Sequence, residues 1–206
     1  MEFVFSKDKN ETDIAEDVVL QVNQKVKRVY WTNDKIDKFF ARRSAKEIIT
    51  DGTTCFMNPC LDLTLVSSYF LSSNNIEHNF VIEEHLPTKE FSFNRLHFAL
   101  EFQNQNKNYT LNYKRVNEVY LSEGNYAGRE DIPCVQIIKI PGENINPYKS
   151  IYRNLGYDTL EDLIKDKFKG YSLDSNINKL KQDNYKENYN QYKKRFGKEL
   201  NLIIKQ

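Results

Sequence analysis

Apolar positions recur at helical spacing through residues 12–30, TDIAEDVVLQVNQKVKRVY, where Ile14, Val18, Val19, Val22 and Val26 fall on one side. Acids come early and Lys and Arg late, the order a helix dipole favours. A second helix is predicted from Asp34 to Ile49, with Ile36, Phe39, Phe40 and Ile48 inward and Asp51-Gly52 ending it. The next stretch, DGTTCFMNPCLDLTLVSSYF, offers Asn58 as an N-cap and Pro59 as a first helical residue. Leu61, Leu63, Leu65, Val66, Tyr69 and Phe70 cover more than one face, so this helix should be mostly buried and stop near Ser72-Ser73-Asn74-Asn75.

Beyond it the period changes to two. Asn79 to Glu84 reads as a short strand. From Ser92 to Gln103, Leu96, Phe98, Leu100 and Phe102 point one way and His97, Ala99, Glu101 and Gln103 the other. Asn104 to Asn108 is turn-like, and Tyr109 to Val116 alternates again, which makes a hairpin. Pairing His97 with Asn112 keeps both faces coherent and centres the turn on Asn104-Gln105; a slip of two residues keeps them equally well. Cys134 to Ile140 is a further strand, stopped by Pro141-Gly142. Asp158 to Phe168 reads as a helix capped by Thr159. Residues 172–206, rich in Lys, Asn, Tyr and Glu, read as one or two amphipathic helices packed on the core, with a partner-binding or flexible tail as the rival.

The 206 residues suit one domain with an appended subdomain. With 30 Lys and Arg against 29 Asp and Glu, no global field points to nucleic acid or a membrane surface. Seven glycines form neither GxGxxG nor GxxxxGK[ST]. No apolar run approaches the roughly 18 residues of a membrane span, and the first residues lack the apolar core of a signal peptide. Three cysteines, an odd number, fit a reducing compartment, so a cytoplasmic location is expected.

Those cysteines are not equivalent. Cys60 falls in the first turn of the buried helix, where unpaired N–H groups and the dipole favour a thiolate; the competing reading is a small buried hydrophobe. Cys55 precedes the helix and reads as a structural or exposed thiol. Cys134 reads as core. Zinc ligation lacks a suitable spacing, and no cofactor or metal is expected. Of the three histidines, His97 sits on a strand facing away from the apolar layer, while His78 and His85 read as surface or loop residues. Asn112, beside His97 in the hairpin, is placed to accept one ring N–H and orient the other nitrogen, the third-member role in a cysteine triad.

Cys60-Leu61-Asp62 with the apolar helix after it, Asn75-Ile76 at its end, His97-Phe98-Ala99-Leu100-Glu101-Phe102, and Tyr109-Thr110-Leu111-Asn112 resemble the three motif blocks of the transglutaminase-like cysteine enzymes. Residues 41–53, ARRSAKEIITDGT, are similar to the lead-in of bacterial members, and residues 151–163 to a region downstream of their core. The resemblance spans roughly residues 40–120. Asn112 stands where the family has Asp, no proline follows it, Asn75-Ile76-Glu77 replaces Gly-Ile-Pro, and no Trp precedes the third block. The resemblance implies an α+β, papain-like core over residues 1–145, a helical extension over 146–206, and a Cys60-His97-Asn112 triad acting on a peptide or protein amide. The oxyanion donors would be the Cys60 N–H and a side chain, with Trp31 and Thr54 as candidates. An inactive interaction module, binding a protein partner through its C-terminal helices, is the alternative. Neither nucleic acid nor a membrane is an expected partner.

Overall fold

An antiparallel sheet carries the fold, and one apolar helix lies across it. The computed structural model describes residues 9–55, 59–85, 95–114, 118–126, 134–142, 157–159 and 162. In chain order the elements are α1 (Glu11–Lys25), β1 (Lys27–Val29), α2 (Asn33–Phe39), α3 (Ala45–Asp51), β2 (Thr53–Cys55), α4 (Cys60–Ser73), β3 (His78–His85), β4 (Arg95–Asn104), β5 (Lys107–Lys114), β6 (Glu118–Glu123) and β7 (Cys134–Pro141). The sheet runs β6-β5-β4-β3-β7 with every neighbouring pair antiparallel, and β1 and β2 form a separate parallel pair. The described chain is therefore α+β. Among its helices, none is long and apolar enough to cross a membrane.

α4 is buried nearly all round, as its composition requires: Leu61, Leu63, Leu65, Val66, Phe70 and Leu71 join one core with Phe80 and Ile82 of β3 and Leu96, Phe98, Leu100 and Phe102 of β4. The other face of the sheet is different in kind. Val81, Ala99 and Tyr126 form a small apolar cluster there, among the buried polar residues Glu83, His97 and Glu101.

The long helix predicted for residues 12–30 stops at Lys25. Asn10 caps its start, accepting from Thr12 N at 2.9 Å and Asp13 N at 3.0 Å. Residues 27–29 leave the helix to pair with β2, because Lys27 N finds Gly52 O at 2.8 Å. The helix predicted for 34–49 is two helices. Ala41 breaks it with a positive φ of 57°, and Ser44 then starts α3 with a capping box to Glu47. Gly52 ends α3 in the left-handed conformation, at a φ of 65°. Pro59, with αR backbone, occupies the position that opens α4, one residue after the expected cap; Asn58 lies outside the described residues.

The hairpin forms with the two-residue slip. Leu100 pairs with Leu111 and Asn104 with Lys107, so the turn centres on Gln105-Asn106, whose φ angles of 50° and 63° suit a tight two-residue hairpin. β6 was not foreseen, although Val119 and Leu121 alternate toward the core. Its backbone meets α1 through one side chain: Asn23 Nδ2 donates to Val119 O at 2.9 Å and Asn23 Oδ1 accepts from Val119 N at 2.8 Å. Thr159 Oγ1 accepts from Asp162 N at 3.1 Å and Tyr157 packs on the core; the rest of the helix predicted for residues 158–168 lies outside the described residues. The remainder of the predicted extension, 163–206 included, lies outside the described residues.

Candidate active site

The site grows from a divergence of two strands. β4 pairs with β5 only from Leu100 onward, while β5 continues through Asn112 and Tyr113 in register with Tyr120 and Val119 of β6. The β4 segment before Leu100 thus has an edge that β5 has left. α4 supplies side chains to that edge at a spacing of four, one helical turn. Thr64 Oγ1 donates to Phe98 O at 3.3 Å, and Cys60 Sγ lies 4.0 Å from Leu96 O, the residue next to His97. A small cavity of about 10 Å³ remains at the fork, walled by Thr64, Ser67, Asn112 and Tyr113 among others.

His97 and Asn112 meet across the fork. His97 Nε2 lies 2.7 Å from Asn112 Oδ1, and the same oxygen accepts from Tyr113 N at 2.6 Å. Only an oxygen can accept a backbone N–H, which fixes the orientation of the amide. An accepting oxygen in turn makes Nε2 the protonated ring nitrogen of a neutral His97 and leaves the basic lone pair on Nδ1. In the slipped register Asn112 is the diagonal neighbour of His97, still within reach of a long side chain.

Cys60 sits in the first turn of α4 as expected, 3% exposed. The strand alternation, however, places His97 with Ala99 and Glu101 on the face turned from α4, where its ring stacks on Tyr126 with centroids 6.0 Å apart. The thiol reaches the β4 backbone at the fork from one side and the imidazole lies on the other. Arg28, which the sequence did not single out, joins them: its guanidinium lies 4.3 Å from the centre of the Tyr113 ring. Burial pulls Arg28 below its ordinary value, against the upward pull of Tyr113 and Cys60. A cation within electrostatic reach of the sulfur favours the thiolate.

No protein-family model matches the chain, and no curated protein matches it.

Trp31 and Thr54 belong to a different cluster, around Asp62. Two residues along a helix is about 200° of rotation, so Asp62 faces well away from Cys60. Arg43 Nη2 donates to Asp62 at 2.5 Å, Thr54 Oγ1 donates to the same oxygen at 2.8 Å, and Arg43 also binds Asp51 at 2.8 Å and Thr53 O at 2.9 Å. Arg43 lies 4.6 Å from the Trp31 ring centre. Burial pushes the Asp62 carboxyl up, against the pull of Arg43 and Thr54. This joint ties α3, β2 and α4 together, and gives Thr54 and the Trp31 ring structural partners there. Trp31 Nε1 is buried without a hydrogen-bond partner among the described residues.

Cys55 is a buried thiol in the core. His78, expected at the surface, is buried: Nδ1 donates to Ile76 O at 2.8 Å and Nε2 lies 2.7 Å from Ser68 Oγ. Its position at the start of β3, opposite the buried Phe102, explains why. The side chains of His85 and Cys134 lie outside the description. Among the described residues no group of three His, Cys, Asp or Glu side chains is arranged to hold a metal. A larger polar cleft of about 780 Å³ lies toward the other end of β4, lined by Glu77, Asn79, Glu101, Gln103 and Lys139 among others.

Proposed function

We propose that this chain is a transglutaminase-like thiol enzyme that transfers acyl groups or hydrolyses amides of a peptide or protein. The observation that supports it most is the His97–Asn112 hydrogen bond, with the amide oriented so that Nδ1 is the basic nitrogen; Cys60, in the first turn of a buried helix, reaches the backbone of the preceding residue, Leu96, from the opposite side of the strand. In this reading the Cys60 proton passes to His97 Nδ1 and the sulfur attacks the carbonyl carbon. The resulting oxyanion is met by backbone N–H groups at the start of α4. As the tetrahedral species collapses, His97 returns the proton to the departing amine nitrogen and a thioester remains on Cys60. Water or a second amine, deprotonated by His97, then attacks the thioester and regenerates the thiol.

A second reading has its own support. Cys60 is nearly inaccessible and His97 lies on the face turned from α4, an arrangement suited to a relative of such enzymes that has kept the fold as a binding module. The two readings separate by the rate of Cys60 alkylation with iodoacetamide as pH is varied, in the full chain and in His97→Ala. The enzyme requires a thiolate reactive near neutral pH and slowed by about tenfold or more in the variant. Reaction no faster than a free thiol, or only on unfolding, rejects it in favour of the module.

A further inference from the structure

The triad leaves unused a carboxylate buried beside its histidine. Glu83 of β3 stands directly opposite His97 of β4 in the antiparallel register, on the same face, and is fully buried. Directly opposed residues have Cβ atoms about 4.5–5.5 Å apart. Tyr126 joins the two: its hydroxyl donates to Glu83 Oε2, and its ring stacks on His97 at an interplanar angle of 27°. Tyr126 is itself fixed. Its backbone N–H donates to Glu101 Oε1 at 2.6 Å, and Val81 and Ala99 share its apolar cluster.

On the same face Glu101 pairs with Lys139 Nζ at 2.5 Å. Across the strand pair from Glu83 the residue is His97, a group that becomes a cation by taking one proton. A carboxylate about 4–6 Å from an imidazole favours its charged form. A thiolate–imidazolium pair needs that same cationic form.

We propose that Glu83, held by Tyr126, is a positioning residue that favours the imidazolium form of His97. The proposal deepens the thiol-enzyme reading and rests on it for its consequence at Cys60. Among described side chains, the titratable and charged groups facing or near His97 are Glu83 from β3, Tyr113 from β5, Tyr126 after β6, and the Glu101–Lys139 pair from β4 and β7.

The test is the NMR titration of the His97 imidazole in the full chain, read beside Cys60 alkylation. Glu83→Gln keeps the shape and removes the charge. It should lower the His97 proton affinity about tenfold, or about one pH unit, with Glu83→Asp restoring part of it. Tyr126→Phe, which loses only the hydroxyl, should shift the titration in the same direction by less. Shifted signals from all three histidines would identify a variant that has not folded, and Tyr126→Phe then carries the test. An unchanged His97 titration in the folded variants overturns the proposal, whatever Cys60 does. A lowered titration supports it even if His97→Ala leaves alkylation unaltered, a result that would instead remove the thiol-enzyme reading.

Discussion

Asn112 replaces the carboxylate of the resembled family with an amide, and the fork between β4 and β5 shows what an amide does there. Its oxygen serves His97 Nε2 and Tyr113 N together, so one atom both orients the ring and is oriented by the backbone. Asn112→Ala removes both bonds. It should slow Cys60 alkylation near neutral pH by about tenfold while leaving the fold intact, since the residue stands where β5 has parted from β4. Asn112→Asp keeps an accepting oxygen for both partners and adds a negative charge that favours the imidazolium, so it should equal or exceed the native rate. An alanine variant as reactive as the native protein would show that Asn112 does not orient His97. Arg28 shows the limit of reading at this scale: nothing in Lys27-Arg28-Val29 marks a residue whose charge reaches a sulfur 32 positions on.

Elements were legible in proportion to how much of their cause lies within them. α4 follows from its own apolar composition, β4 and β5 from alternation, and β3 and β7 from short apolar runs, the second stopped by Pro141-Gly142. β1 and β2 have three residues each and exist only because each is the other's partner, so local periodicity could not disclose them. The capping box Ser44-x-x-Glu47 was written in the sequence and marks the break in the second helix; the apolar spacing across it outweighed the signal. The hairpin slip is subtler, since two registers preserve the faces and only the positive φ angles at Gln105 and Asn106 distinguish them. β6 illustrates a tertiary cause. Asn23 of α1 completes both backbone hydrogen bonds of Val119 at the outer strand of the sheet, acting as a single residue of an additional strand. Asn23→Ala leaves a part-buried N–H and C=O without these partners, and should cost about 1–3 kcal/mol in urea unfolding. Hydrogen exchange at the Val119 amide should quicken selectively. Equal exchange in the variant and the native protein would show that the asparagine is not what secures this edge.

At the scale of the whole molecule, one face of the sheet is filled by α4 and the other carries the buried polar groups Glu83, His97 and Glu101. The dependence of stability on pH has its clearest sign at His78, on the α4 face, opposite Phe102 and bonded to Ser68. Burial holds His78 below its ordinary value of 6.5, against the opposing pull of Ile76 O. The neutral ring is fully employed, donating from Nδ1 to Ile76 O and accepting at Nε2 from Ser68. The end of β7 closes over it, for Gly142 N donates to His78 O at 2.6 Å and a Cβ on Gly142 would come within 2.2 Å of the ring. A folded state that binds a proton more weakly than the unfolded chain is fully favoured above the unfolded value. It loses that advantage as pH falls below about 6.5 and through the lower folded value. Asp62 acts in the opposite sense: its carboxyl is raised by burial, so it penalises the folded state as pH rises from 3.8. His78→Gln removes one titration and leaves the other, and the comparison isolates the histidine. Between pH 7.5 and pH 5 the native protein should lose unfolding free energy relative to His78→Gln, with the gap between the two curves constant above pH 7.5. Curves that stay parallel down to pH 5 would mean that His78 takes up its proton as readily in the folded protein as in the unfolded chain, and that the closure by Gly142 does not isolate it from water.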